Sequence, residues 1–594
     1  MLNKTQLPIA SNQLWKILAL LLTIAPAVFM GLFILQYGVD VPYWDQWGVA
    51  RLLVKQAEGD LSIQDLLAQH NEHRIFFPKL VFLALATLTD WNVKYEMLFI
   101  LFLACIASLS VYFLFRRTVT QNLILSFFLT FLSNVLIFSP IQYECWLWGF
   151  QITFLMPIVC LVLSLLITQL KVIFWFRLLL CIVLATVSTF SVAAGALSWL
   201  VLLPVILLSA EGVRRKTLFS AVIPIWLICF SLNIAAYLRG YQSSASSSIA
   251  NKSSIVLSYP FAFLGSPLGV GNPAFAIVAG CVLVALYVFA CLYIVLRWRK
   301  FLKQAFVWLA LGAYPILSAM MATLARSGSG VEQALSSRYT TISIYLVIAV
   351  IALLAIVFED IKENKFFALG QLSEQTGHDI LQNLLTCLIT VSITLNLASS
   401  ISMSPLVTAL QRDRLYAKTC LTFIKFEPNN CIAQSLNPGP PKLIKRLASE
   451  MNKIGFVSPP IIEVRNIAKI APETALEPTT YGEFDSVTPV DQTTYTATGW
   501  AVLPQYHKLA DSVLLTYQDS AKIPVLFAIA SVRYPTPAVA NALRDDRYRY
   551  AGWSTSFTIR RLPKQQDLVI EAWAFDTDRS QAFRITQQHI LGRG

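Results

Sequence analysis

Long apolar runs broken by short polar stretches set the character of the first four hundred residues. A helix needs about 20 consecutive apolar residues to cross a bilayer's hydrocarbon core. Runs of that kind lie at about 14–37, 93–115, 121–139, 151–170, 173–191, 194–210, 217–237, 272–296, 304–324, 339–358 and 379–399, and they predict eleven membrane-spanning helices. The stretch RIFFPKLVFLALATLTD, residues 74–90, is apolar but short, and is expected to lie at the interface or to insert only partly. Beyond residue 400 the pattern changes. Residues 405–426 are expected to be helical, with Ser404 as N-cap, Pro405 first and Pro428 past the end. Residues 441–454 are a second expected helix, stopping at Gly455, and a Pro-rich linker follows over 459–483. From Thr494 onward, short alternating runs separated by turn residues (TYTATGWAVL, SVLLTYQ, PVLFAIASVR, GWSTSFTIRRL, DLVIEAWAFD, QAFRITQQ) predict a small β-sandwich. The expected organisation is a transmembrane domain over 1–400 with a long first loop at 38–92, a helical neck and linker over 401–483, and the sandwich over 484–594.

Composition agrees. The chain is 56% hydrophobic and 13% charged, with a mean hydropathy of +0.61, whereas soluble domains carry about a quarter charged residues. The formal net charge of +13 raises nucleic acid as a partner. The distribution of the charge removes that reason, because cytoplasmic loops of membrane proteins collect Lys and Arg. With a cytoplasmic N-terminus, the inside connections hold Lys4 and Lys16, then Arg116 and Arg117, Lys171, the Arg214–Lys216 cluster, Arg297 to Lys303, and Lys362 with Lys365. An odd number of spans then places the C-terminal region outside. The first apolar run is too long for a signal-peptide core and is expected to be retained. Of ten cysteines, eight lie in or beside apolar segments. Cys420 and Cys431 lie in a more polar stretch, and on an extracytoplasmic segment they are expected to close a disulfide.

Four polar constellations fall on the outside by this reckoning. The first loop opens with Asp40 and the run Tyr43-Trp44-Asp45-Gln46-Trp47. A carboxylate at an apolar boundary makes a better base through desolvation, and Trp44 and Trp47 offer faces to a sugar ring; an aromatic belt beside a solvated Asp is the plain alternative. Later in that loop stand Glu72, His73 and Arg74. If the segment is helical, Asp65, Gln69 and His73 share a face. Imidazole and carboxylate there, with Asp45 or Glu72, would suit a divalent cation, although a solvated helix face explains the same residues and no specific metal motif is present. Glu144 sits in QYECWLWGFQ, where it is either functional or in headgroup water. Arg326, and Arg338 with Tyr339, run against the usual charge bias, and a guanidinium fork matches phosphate; headgroup snorkelling is the alternative. The small-residue run STFSVAAGA reads as close helix packing.

The retained first helix, the long first loop with Asp45 near its start, the Pro-bearing juxtamembrane helix and the Arg338-Tyr339 pair resemble the GT-C superfamily of polytopic glycosyltransferases, especially bacterial mannosyltransferase-like members using polyprenyl-phosphate sugars. The likeness covers about residues 10–400. It implies a bacterial inner- or plasma-membrane enzyme. Such an enzyme catalyses inverting transfer of a hexosyl or pentosyl group from a polyprenyl-phosphate carrier to an envelope glycan, lipid or protein. Asp45, or Asp40, would be the base, and Arg338 with Arg326 would face the departing phosphate. No cofactor is implied beyond a possible divalent cation. Two other functions fit the same chain: a transporter or flippase for lipid-linked saccharides, and a non-catalytic envelope scaffold presenting the tail.

Overall fold

The computed structural model describes residues 9–210, 212–242, 252–363, 374–426, 429–472, 481–563 and 567–592. Lys4, Lys365, Pro428 and residues 473–480 of the expected linker lie outside the described residues. In chain order the helices are α1 (Ile9–Tyr37), α2 (Gln46–Glu58), α3 (Ile63–Leu67), α4 (Phe76–Thr89), α5 (Lys94–Thr118), α6 (Leu123–Ile137), α7 (Tyr143–Leu147), α8 (Ile152–Thr168), α9 (Phe174–Thr189), α10 (Ser198–Leu208), α11 (Arg215–Thr217), α12 (Ile223–Leu238), α13 (Ser253–Gly265), α14 (Pro273–Leu296), α15 (Trp298–Arg326), α16 (Ser337–Glu363), α17 (Glu374–Ser402), α18 (Ser404–Thr422), α19 (Asn429–Ser435), α20 (Pro441–Lys453) and α21 (Pro537–Leu543).

Among the described residues nine helices are long and apolar enough to cross a membrane, so the chain is a multi-pass membrane protein. Two of the eleven expected spans fall short. α9 has 16 residues, about 24 Å at 1.5 Å per residue, against about 30 Å of hydrocarbon. α10 is shorter again and carries Pro204. Between them the small-residue turn does pack closely: a Cβ on Gly195 would stand 1.8 Å from the Ser188 carbonyl oxygen. The apolar stretch at 74–90 forms the 14-residue α4, also too short to cross. One element went unread. α13 lies inside what reads as a polar loop, and it packs on α14 through glycines. A Cβ on Gly265 would meet the Ala276 carbonyl oxygen at 1.9 Å, and one on Gly280 would meet that of Phe261 at 2.0 Å. Small residues at a membrane-helix interface let backbones approach in this way.

The chain divides into two compact units, the first made of Met1–Gln36, Ser62–Val81 and Glu96–Ser404, the second of Tyr37–Leu61, Phe82–Tyr95 and Pro405–Gly594. Among the described residues, α16 is the most enclosed of the first unit's spans. In the second, the strands are β1 (Gly482–Pro489), β2 (Thr494–Leu503), β3 (Lys508–Leu509), β4 (Ser512–Gln518), β5 (Pro524–Tyr534), β6 (Gly552–Thr558), β7 (Asp567–Asp576), β8 (Gln581–Arg584) and β9 (His589–Gly592).

The expected β-sandwich is corrected. All strands belong to one sheet of order β1-β2-β6-β5-β4-β7-β8, with β3 on β2 and β9 on β7. Its ends curl together. Phe484 N–H donates to the Thr586 carbonyl at 3.1 Å and Thr586 N–H to that of Gly482 at 3.2 Å, making a half-barrel. Alternation along β4 shows why a sandwich was expected. Val513 and Leu515 face the barrel interior with Phe484 and Trp553. Leu514 faces the other way, into a cluster with Phe423, Trp573 and Phe575. Both faces are buried, as in a sandwich, but the second layer includes Phe423 at the end of α18 rather than another sheet. The expected disulfide Cys420–Cys431 is present, with its Cα atoms 6.2 Å apart.

Replacing Gly280 by Val places methyl groups against the backbone of α13. The variant is expected to lose about 1–3 kcal/mol of stability, read as an earlier thermal unfolding midpoint in detergent. An unchanged midpoint would contradict this helix contact.

Candidate functional site

In the first unit the polar island between α3 and α4 is a braced loop. Ser62 caps α3 reciprocally: its hydroxyl accepts the Asp65 N–H at 3.3 Å and Asp65 Oδ2 accepts the Ser62 N–H at 3.0 Å. The helix then stops at Leu67. Asn71 adopts φ 50°, and His70 and His73 exchange backbone hydrogen bonds of 2.7 and 2.8 Å. The expected shared helical face of Asp65, Gln69 and His73 is therefore corrected, because a left-handed residue folds the segment into a tight turn. His73 Nδ1 accepts the Ala193 N–H at 3.4 Å, and its ring meets Phe154 edge-on.

Two cations hold this loop through carbonyls. Arg74 donates to the carbonyls of Tyr237 and Leu67, each at 2.6 Å, and of Arg239. That gives Arg74 a bracing role. Lys79 donates to the carbonyls of Asp65, Leu66 and Ala68 at 2.8–3.0 Å, satisfying groups that the end of a helix leaves open. Burial first, and Arg74 second, push the Lys79 amine down to about 8, with Asp65 opposing.

The same unit gathers the two expected arginines. Arg326 pairs with Glu72, whose backbone carbonyl accepts the Tyr237 hydroxyl at 3.0 Å. Arg338 opens α16, half-buried, with its guanidinium 5.7 Å from the Tyr339 ring centre. Among the described residues it has no carboxylate within ion-pair distance. Tyr339, its neighbour in sequence, belongs to a chain of neutral donors and acceptors. Gln333 Nε2 donates to the Tyr339 hydroxyl at 3.2 Å, and the Tyr259 hydroxyl donates to Gln333 Oε1. Both guanidiniums act electrostatically on Tyr259. Glu144 is tied to the start of α16. Its N–H donates to Ser337 Oγ at 2.9 Å, and Ser336 Oγ donates to its carboxylate at 3.5 Å. An apolar cavity of about 400 Å³ lies between α14, α16 and α17, lined by Phe275, Val282, Val347, Ile351, Leu354 and Leu395 among others.

The other expected residues lie in the second unit. Asp40 Oδ1 accepts the Val93 N–H at 2.9 Å. Burial raises its carboxyl above the ordinary range, against the opposing pull of Lys418 and Lys94. Lys418 is itself buried and paired with Asp578 at 2.6 Å, so Asp40 belongs to an internal charge cluster joining loop, neck and sheet. Trp47 is buried. Trp44 is 44% exposed and stacked on Tyr43 at 5.4 Å. It adopts φ 47°, a left-handed conformation costing about 1–3 kcal/mol for such a residue. Asp45 follows it, half-buried, where α2 begins.

Among the described residues no group of three His, Cys, Asp or Glu side chains is placed to hold a metal ion, so the cation reading gains no geometry. Sequence reasoning missed Tyr259, Gln333 and the buried Glu96, whose side chain lies on Gly149. Tyr259 and Gln333 carry no charge to mark them, and Glu96 opens an apolar run.

Lys79 supplies a pH test. Unfolded, its amine holds a proton to about 10.5; folded, it releases it near 8. In that window the unfolded state binds more protons, so stability rises with pH. The wild type is expected to gain on Lys79→Met between about pH 8 and pH 10 in thermal unfolding, and a constant difference would contradict the burial. A comparison with protein-family models finds no match for this chain, and a comparison with curated proteins finds none either.

Proposed function

We propose that the chain is a GT-C-type membrane glycosyltransferase that takes one sugar from a polyprenyl-phosphate carrier and gives it to a hydroxyl of an envelope glycan, lipid or protein. The observation that carries the reading is Arg338, a half-buried guanidinium beside the Tyr339 ring with no carboxylate within ion-pair distance among the described residues. Holding a partly buried cation without an anion is costly, which makes the place suited to an anionic ligand. A guanidinium fork fits phosphate bidentately. The apolar cavity supports a lipid-borne anion, because it is lined in part by α16, the helix that Arg338 opens.

In this reading the acceptor hydroxyl oxygen attacks the anomeric carbon. The bond from that carbon to the phosphate oxygen breaks, and the phosphate leaves with the electron pair, its charge held by Arg338. Asp45 takes the hydroxyl proton, and the attack inverts the anomeric centre. Assigning the base to Asp45 rests on the sequence pattern and on its half-buried place beside the exposed Trp44. The basic connections support an orientation with the N-terminus cytoplasmic and the acceptor side extracytoplasmic.

The test is transfer from a labelled polyprenyl-phosphate sugar by purified protein. Arg338→Gln is expected to lower kcat by about 10²–10³-fold, and Asp45→Asn to abolish transfer at unchanged protein level. Full activity in Asp45→Asn would remove Asp45 as the base. Donor binding or movement without any transfer would favour a flippase, and neither binding nor transfer a scaffold.

A further inference from the structure

Read as sequence, the region beyond residue 400 is a module attached to a membrane enzyme. In the second unit it grips the segment that carries Asp45. The Trp44 N–H donates to the Leu436 carbonyl at 2.8 Å. The Trp44 carbonyl accepts from Asn437 Nδ2 at 2.7 Å, across 393 positions of sequence. Asn437 is itself oriented, because its Oδ1 accepts the Gly439 N–H at 2.7 Å, which turns the amide's donor end to Trp44. One residue earlier, the Arg414 guanidinium lies 3.0 Å from the centre of the Tyr43 ring. Arg414 comes from α18, and Leu436 with Asn437 directly follow α19. The Cys420–Cys431 disulfide ties those two helices together.

This grip takes the backbone of Trp44 and leaves its ring exposed beside the half-buried Asp45. A bulky residue does not adopt φ 47° unaided, and conformations of that kind persist where the surroundings over-determine them. A hold built only to bury surface would have no need to keep an aromatic ring outward on a strained backbone.

We propose that the neck is part of the transfer machinery: Asn437, helped by Leu436 and Arg414, positions the Asp45 carboxylate by fixing the backbone of Trp44. The proposal rests on the reading of Asp45 as the base. Asn437 is a positioning residue and touches neither substrate. Its loss misplaces the base without altering the anion site at Arg338, so kcat and the donor KM separate.

Asn437→Asp tests it. The variant keeps the oxygen that accepts from Gly439 and replaces the donor facing Trp44 with an acceptor. Transfer kcat is expected to fall about 10- to 100-fold, the scale of a small misplacement of a reacting group, with the donor KM within about twofold. Amide exchange at Trp44 is expected to quicken while the thermal midpoint holds. The paired substitution Cys420→Ser with Cys431→Ser is expected to shift kcat in the same direction. Wild-type kcat in Asn437→Asp overturns the proposal, as does a fall in kcat matched by an equal rise in donor KM. If the Asp variant does not accumulate, Asn437→Ala is judged by the same two constants. An active wild type with unimpaired variants removes this proposal alone. A wild type with no transfer activity removes the reading of Asp45 and this proposal with it.

Discussion

A polar group in apolar surroundings must find a partner inside the protein, and that requirement shapes the loops of this chain. Few residues are charged, and several of those near apolar helices are settled in a particular way. Arg74 and Lys79 are satisfied by carbonyls at the ends of α3 and α12. Arg326 is satisfied by Glu72. Lys418 lies buried against Asp578 beside Asp40. Removing one partner from such a pair costs more than the pair itself contributes, so these groups read as parts of the frame. Arg338 differs from them: among the described residues it is settled by no anion.

That contrast does more to narrow function than the abundance of polar residues does. Of the residues expected to meet substrate, Arg74 and Asp40 make hydrogen bonds that brace the fold, and Trp47 is buried. Glu144, Arg338 and Tyr339 remain near one another at the start of α16, joined by Tyr259 and Gln333. Trp44 and Asp45 remain on the loop of the second unit, on a backbone that is strained and externally held.

The local pattern carried the parts of the fold that local physics decides. β2, β4 and β7 have the bounds expected from alternation and flanking turn residues, because a period of two survives whatever the strand pairs with. The sandwich was misread since alternation reports that both faces are covered and not by what. The segment around His70–His73 reads only conditionally as helix, and one left-handed Asn within it makes a turn that periodicity does not report. α13 was hidden by the Ser- and Gly-rich sequence around it. The grip on Trp44 was invisible in principle: Trp44 and Asn437 share no local signal, and only folding brings them together. The disulfide was legible because two cysteines in a polar segment stand out in a chain whose other thiols sit among apolar residues.

The central claim is that Arg338 holds the phosphate of a lipid-borne sugar. Native mass spectrometry of the protein drawn from its own membrane in mild detergent tests it most directly, with Arg338→Gln beside the wild type. The account predicts one polyprenyl-phosphate-type lipid per chain on the wild type and its loss from the variant. Ordinary phospholipid alone on the wild type, or the same polyprenyl lipid held equally by both proteins, would contradict it.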